Sequence, residues 1–472
     1  MHNSDKECAK KYENLSSIRT TYLDRAREAA KLTIPSLVPD AGHSSATKLY
    51  TPYQGVGARG VNNLASKLLL SLLPPNAPFF AMRLDDFTIQ ELAQTEGARA
   101  KVDEALNKYE RAVMTEIENS GMRSPIFEAL KQLIVAGNVL LYLPPEGGAR
   151  VFPLSRYVVK RDPMGEVIEV IVKETMSRAT LPEDIQEMLG SKEGDLENQE
   201  NKKTDEINLY TKMYREGDKY ILYQELDGII VPNSQGKYPL DKAPMLPLRW
   251  TRIDGEDYGR SYVEEYIGDL ISLEGLSKAI LEASAVSAKV VFMVAPNGTT
   301  RARDIAKAEN GSIVSGNAAE VSTLQVQKQA DMSVASNTAS TITERLSYAF
   351  LMNSAVQRAG ERVTAEEVRY MAGELEDALG GVYSILSQEF QLPLVNRIIA
   401  RMTKKKKLPQ LPKGVAKPTI VTGLEALGRG HDMNKYQMFL QALVPLGPQA
   451  VAQFMNVGDY ITRVGTALGI DM

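Results

Sequence analysis

The feature that most limits the fold of this 472-residue chain is a double change of hydrophobic period. Before about residue 138 and after about residue 260, apolar residues recur at helical spacings of three and four. Between them, the runs NVLLYL, ARVFPL, EVIEVIVKETM, INLYTKMY and KYILYQEL are rich in β-branched and aromatic residues. Gly147-Gly148, Asp162-Pro163-Met164-Gly165 and Glu216-Gly217-Asp218 lie between these runs as turn signals. The pattern predicts a mixed α+β fold, mainly α-helical, with an antiparallel sheet of hairpins between helical parts. At roughly 100–200 residues per domain, the length predicts several structural regions instead of one core.

The periodicity predicts helices over 5–31, 58–73 and 98–119, the last with Val102, Leu106, Tyr109, Val113 and Ile117 on one face. Pro74-Pro75 ends the second and Gly121 suits the end of the third. Ser124-Pro125 predicts an N-cap and first position for a helix reaching about 136. The charged stretch EGDLENQENKKTDE reads as a solvated loop. From 260, Val263, Ile267, Leu270, Leu273, Leu276 and Ile280 mark another helix face. Residues 290–330 mix strand-like pieces with turns, and 331–351 are helical again. Thr364-Ala365-Glu366-Glu367 is a capping box opening a long helix to about Met402. At 1.5 Å per residue it reaches about 55 Å, with Pro393 expected to kink it. Lys404 to Lys407 and the prolines after them read as a linker, and 423–472 as a small helical region.

Little in the chain suggests covalent chemistry. Gly55-Val56-Gly57-Ala58-Arg59-Gly60 matches G-x-G-x-x-G, but the KLYTPYQ before it contains Pro52 and is not a buried strand. Asp85 and Asp86 follow a proline-broken loop, so these glycines read as a flexible helix approach. His2, His43 and His431 stand apart from one another and from Cys8, which predicts no metal site. The chain is expected to need no cofactor and to be no enzyme. Its single cysteine fits a reducing compartment, and MHNSDKECAKKYENL lacks the apolar core of a signal peptide. Leu64 to Leu73 is too short to cross a bilayer, which takes about 20 apolar residues. A net charge of −4 lacks the basic footprint of a protein that grips duplex DNA. Lys404 to Lys407 read as cations offsetting a helix dipole, with a nucleic-acid patch as the other reading.

Three strings carry a specific resemblance: GEDYGRSYVEEYIGDL from Gly255 to Leu270, the stretch from Asn353 to Leu394 that begins NSAVQRAGERVTAEEVRYMAG, and TGLEALGRG from Thr422 to Gly430. They resemble the portal, or head-to-tail connector, family of short-tailed bacteriophages. The resemblance implies a homo-dodecameric ring at one capsid vertex, through which double-stranded DNA is packaged, retained and ejected. It implies a wing over 1–259, a first stem helix over 260–289 and a clip over 290–330. It further implies a second stem helix over 331–351, a channel loop over 352–365, a long kinked wing helix over 366–403, and a linker and crown over 404–472. Implied partners are the terminase large subunit, the tail adaptor, and the major capsid and scaffolding proteins, with no membrane. The virion is the implied location, after assembly in the host cytoplasm. Related portals commonly carry a longer polar tail than the Gly469-Ile470-Asp471-Met472 seen here, which leaves contacts of such a tail in question. A non-channel helical scaffold is the alternative.

On this resemblance the loop residues Gln357, Arg358, Gly360, Glu361 and Arg362 are expected at the DNA. Guanidinium groups on a ring of loops can meet phosphates from several sides, while Glu361 bridges neighbouring loops. Glu264, Glu265, Asp269, Glu274, Lys278, Glu282 and Lys289 are the channel-lining candidates of the first stem helix. An acidic bore would keep the duplex mobile; the competing reading pairs these charges with each other, as Glu274 and Lys278 can at i, i+4.

Overall fold

The computed structural model describes residues 7–44, 46–74, 78–84, 98–177, 180–181, 185–186, 206–287, 291–324, 329–352, 378–409 and 416–420. The charged insertion, the Thr364 capping box, Asp85-Asp86 and the 423–472 region lie outside or almost wholly outside these residues. The first four helical segments become α1 (Glu7–Lys31), α2 (Val56–Leu72), α3 (Ala98–Asn119) and α4 (Arg123–Ala136). Gly121 and Gly137 follow α3 and α4 at φ +64° and +70°, where a side chain is disfavoured. The cap expected at Ser124 is not used: α4 starts at Arg123, two residues before the expected Pro125, behind a helical Met122 that makes no side-chain cap bond. Met122 is fully buried, and burying its thioether chain outweighs the hydroxyl cap.

The β-rich stretch folds into two antiparallel sheets instead of the one expected. β2 (Asn138–Tyr142), β3 (Arg150–Pro153) and β10 (Met245–Arg249) make a three-stranded sheet in the order β10-β2-β3. β4 (Tyr157–Arg161), β5 (Val167–Ser177), β6 (Glu206–Glu216), β7 (Lys219–Leu226) and β8 (Ile229–Ile230) make the larger one, and β9 (Gly236–Pro239) pairs with β7. Pro153 and a short 3₁₀ turn over Leu154–Arg156 separate the two sheets. α1 lies across the larger sheet, where Cys8 and Tyr12 pack on Val158, Ile171 and Tyr210. Lys212 and Glu169, both buried, pair at 3.1 Å beneath it. α2 and α4 pack together, and α4 covers the smaller sheet.

After β10 the chain turns into the helices predicted beyond 260. Ser261 caps α5 (Tyr262–Glu265) by accepting the Glu264 N–H at 3.0 Å. Tyr266, at φ −112°, interrupts the predicted continuous helix, and α6 runs over Ile267–Ser287. The interruption lets the Tyr262, Tyr266 and Phe350 rings pack on one another. β11 (Val291–Val294) and β12 (Val321–Leu324) form an antiparallel pair around α7 (Ala302–Lys307). α8 (Gln329–Ala349) packs along α6. Residues 378–386 are helical, followed by a π turn over Ser387–Gln391 and by α9 (Leu392–Lys404). The widened turn sits just before Pro393, which has no N–H to give the Glu389 carbonyl. β13 (Ala416–Ile420) closes the described fold by pairing with β1 (Phe80–Leu84).

Candidate functional site

Gln357, Arg358, Gly360, Glu361, Arg362 and Lys289 lie outside the described residues. The other stem candidates are placed, and their partners are mostly in this chain. Glu264 meets Arg260 at 3.3 Å and Arg25 at 3.8 Å. Asp269 on α6 accepts from Arg345 on α8 at 2.8 Å, tying the helix pair together. Lys278 pairs with Glu282 at 3.9 Å and not with Glu274. Glu265 is exposed, and burial followed by the neighbouring Glu264 charge pushes its carboxyl above the usual range.

Glu274 is the most fully engaged of these acids within the chain. It is only 9% exposed and accepts from the Tyr50 hydroxyl at 2.6 Å, the Tyr53 N–H at 2.9 Å and the Gln54 N–H at 3.2 Å. A carboxylate so engaged anchors the 50–54 segment. The signal was present in the spacing: Glu274 follows the buried Leu270 by four and Leu273 by one, on the inward side of the helix.

The glycine motif also acquires a structural use. α2 begins at Val56 after an irregular segment, and among the described residues no strand precedes it. A Cβ on Gly57 would lie 2.5 Å from the Leu32 carbonyl oxygen, and one on Gly60 would lie 2.6 Å from the Phe350 ring. These two glycines serve close packing. Next to Gly60, Asn63 donates to the carbonyls of Phe350 at 2.9 Å and Leu351 at 3.0 Å. Lys67, 5% exposed, donates to Leu351 O at 2.8 Å, and the Tyr262 hydroxyl donates to Ala349 O at 2.7 Å. Sequence reading named none of these as functional.

They seat the end of α8, which closes with the Met352 N–H on Ser347 O at 2.8 Å and the Leu351 N–H on Tyr348 O at 3.0 Å. That is a Schellman ending with leucine where glycine is usual, since Leu351 has φ +53°. A non-glycine residue in this region costs about 1–2 kcal/mol, so the surrounding donors hold it there.

A cavity of about 280 Å³ opens beside the π turn, lined by Arg161, Arg249 and Glu389 among others. Arg249 is fully buried and pairs with Glu389, fastening the π turn to β10. Arg161 spends its donors on the carbonyls of Asp257, Gly165 and Pro247. Burial and the nearby Arg249 charge bring its guanidinium down to about 10. Lys404 ends α9, as the dipole reading expects, and Lys407 binds Glu116 at 2.7 Å. Among the described residues no group of three or more His, Cys, Asp or Glu is placed to hold a metal ion. No described helix is long and apolar enough to cross a membrane.

A family model described as bacteriophage head to tail connecting protein matches residues 5–472. The portal protein of Escherichia phage T7 is 46% identical over 468 residues, covering 98% of this chain and 86% of the relative. The portal protein of Enterobacteria phage T3 is 45% identical over 467 residues, with the same coverage, 98% and 86%. That of Enterobacteria phage SP6 is 31% identical over 457 residues, covering 96% and 87%. Among solved structures, a chain from the neck of a native gene transfer agent particle computed with C12 symmetry aligns at TM-score 0.37 and 12% identity, covering 88% of this chain and 90% of that one. A chain from the virion of the native particle aligns at TM-score 0.34 and 13% identity, covering 88% and 90%.

Proposed function

The chain belongs to the bacteriophage head to tail connecting protein family, and from that premise we propose that it is the portal subunit of a short-tailed phage. The carrying observation is the 46% identity to the T7 portal protein along 98% of this chain. Its work is mechanical: copies ring one capsid vertex and make the channel for double-stranded DNA during packaging, retention and ejection. The ring docks the terminase large subunit first and the tail adaptor later, within a shell of major capsid and scaffolding proteins. Assembly takes place in the host cytoplasm, and the finished ring stays in the virion. ATP hydrolysis belongs to the motor.

The exposed apolar side chains of α6 and α8 support assembly of copies side by side. Ile271, Leu281 and Val286 on α6 are exposed, as are Val334 and Tyr348 on α8. Each such side chain, already partly covered, gains about 1–2 kcal/mol on full burial, and a neighbouring subunit is the surface available to cover them. On this reading residues 1–259 form the wing, 260–289 and 331–351 the stem, 290–330 the clip, 352–365 the channel loop, 366–403 the long helix and 404–472 the linker and crown. The exposed acids of the first stem helix, Glu265 and the Lys278-paired Glu282, supply its repulsion toward DNA. Arg358 or Arg362 brakes backward slippage, while the other pairs with Glu361 of a neighbouring loop. Negative-stain images of the purified protein test the ring: closed rings with a central hole support it, and filaments or monomers would favour a non-channel scaffold.

A further inference from the structure

We propose that Asn63 and Lys67 are positioning residues for the channel loop, acting through the backbone of Leu351. The inference rests on reading 352–365 as that loop, and on contacts that stand without it. α8 ends at Ala349, and two residues separate it from the segment it feeds. Its last turn must leave carbonyls without intrahelical partners. Here the donors that meet them come from elsewhere in the fold: two bonds from Asn63, one from Lys67 and one from Tyr262. The Lys67 ammonium adds charge where the helix dipole is negative. Gly60 lets the Phe350 ring sit directly on α2, so the socket fixes the ring, the carbonyls and the left-handed Leu351 together. A left-handed residue at this point sets the direction in which the chain leaves the helix.

Leucine does not hold that conformation by itself. Without the two α2 donors, residue 351 is free to return to the extended or right-handed regions, which redirects everything after it. Gly60 is thus accounted for by the helix end it supports. It also gives a route by which a shift of α2 reaches the channel.

The test uses the assembled full-length ring carrying Gln357→Cys with a nitroxide label. Cys8 is buried and its thiol is pushed up to about 12 by that burial, so it stays unlabelled. Pulsed EPR then reads distances between labels on different subunits. Asn63→Ala with Lys67→Met is expected to broaden the distance distribution at least two-fold while rings persist. Adding Leu351→Gly, which holds a positive φ without a Cβ, is expected to restore most of the width. An unchanged distribution in the double variant overturns the proposal. So does broadening that Leu351→Gly leaves untouched, because that marks general loosening. Should the double variant not assemble, Asn63→Asp, which keeps the volume and loses the donor, takes its place under the same two outcomes. Labels at the exposed Met164, on a hairpin of the wing, serve as a reference for the loop reading itself. Labels at 357 no closer together than those at 164 would refute the channel loop, independently of whether the variants change its order.

Discussion

Replacing Glu274 by alanine distinguishes an anchor from a channel lining. In the structure its carboxylate accepts from Tyr50, Tyr53 and Gln54, and it is nearly buried. Truncation leaves the Gln54 N–H, in a buried residue, and the Tyr53 N–H without partners. Orphaned donors of this kind cost about 1–3 kcal/mol each, and water can reach Tyr53, so a loss of about 2–4 kcal/mol is expected. Glu274→Gln keeps one acceptor oxygen and should lose about half of that. Denaturant unfolding at one fixed protein concentration measures the loss, since assembly contributes to stability. Hydrogen exchange at the Tyr53 and Gln54 amides localises it. A second readout is the Tyr50 phenol, which donating to a carboxylate pushes up to about 12. The bond stabilises the protonated phenol, so Glu274→Gln should bring its titration back toward 10. Unchanged stability together with an unmoved Tyr50 titration would refute the anchoring argument and return Glu274 to the channel-facing set.

Four further outcomes are expected. Gly60→Ala should destabilise by about 1–3 kcal/mol through its clash with Phe350, whereas Gly55→Ala, which meets nothing within 4 Å, should be nearly neutral in the same unfolding measurement. Arg249→Met should cost about 3–5 kcal/mol by stranding Glu389 beside the cavity, and adding Glu389→Leu should recover most of it. Lys407 holds the Glu116 carboxyl below its usual 4.5, so this bond contributes fully above that pH and is lost as pH falls through the lowered value. The stability gap between the parent and Lys407→Met, followed from pH 7 to 3, should therefore close at the acid end. Charge reversal at Arg358 and at Arg362, followed by DNA retention in filled heads, checks the brake; normal retention in both would end that idea.

How much was legible from sequence depends on the range of the interaction involved. The amphipathic face of α3 was readable because helix periodicity is written within one segment. The hairpin turns were readable because glycine and its neighbours dictate positive φ locally, as at Gly165 and Gly217. The cap at Ser124 was misread because cap chemistry competes with burial, and the burial of Met122 depends on residues far away. Pro393 announced a disturbance of the long helix, but its form as a π turn fastened by Arg249 and Glu389 needed β10 beside it.

The acids of α5 and α6 make the same division. By itself, the sequence determined that this stretch carries many carboxylates among apolar residues, and its strings pointed to the portal family. It also determined the order of helical and β-rich parts, since period and turn chemistry are local. Only the tertiary structure decided that Asp269 belongs to Arg345, that Glu274 belongs to the 50–54 segment, and that Gly60, Asn63 and Lys67 seat the end of α8. The physical reason is that a charge or a glycine has no fixed meaning until its neighbours in space set its hydration, its partners and the room around it.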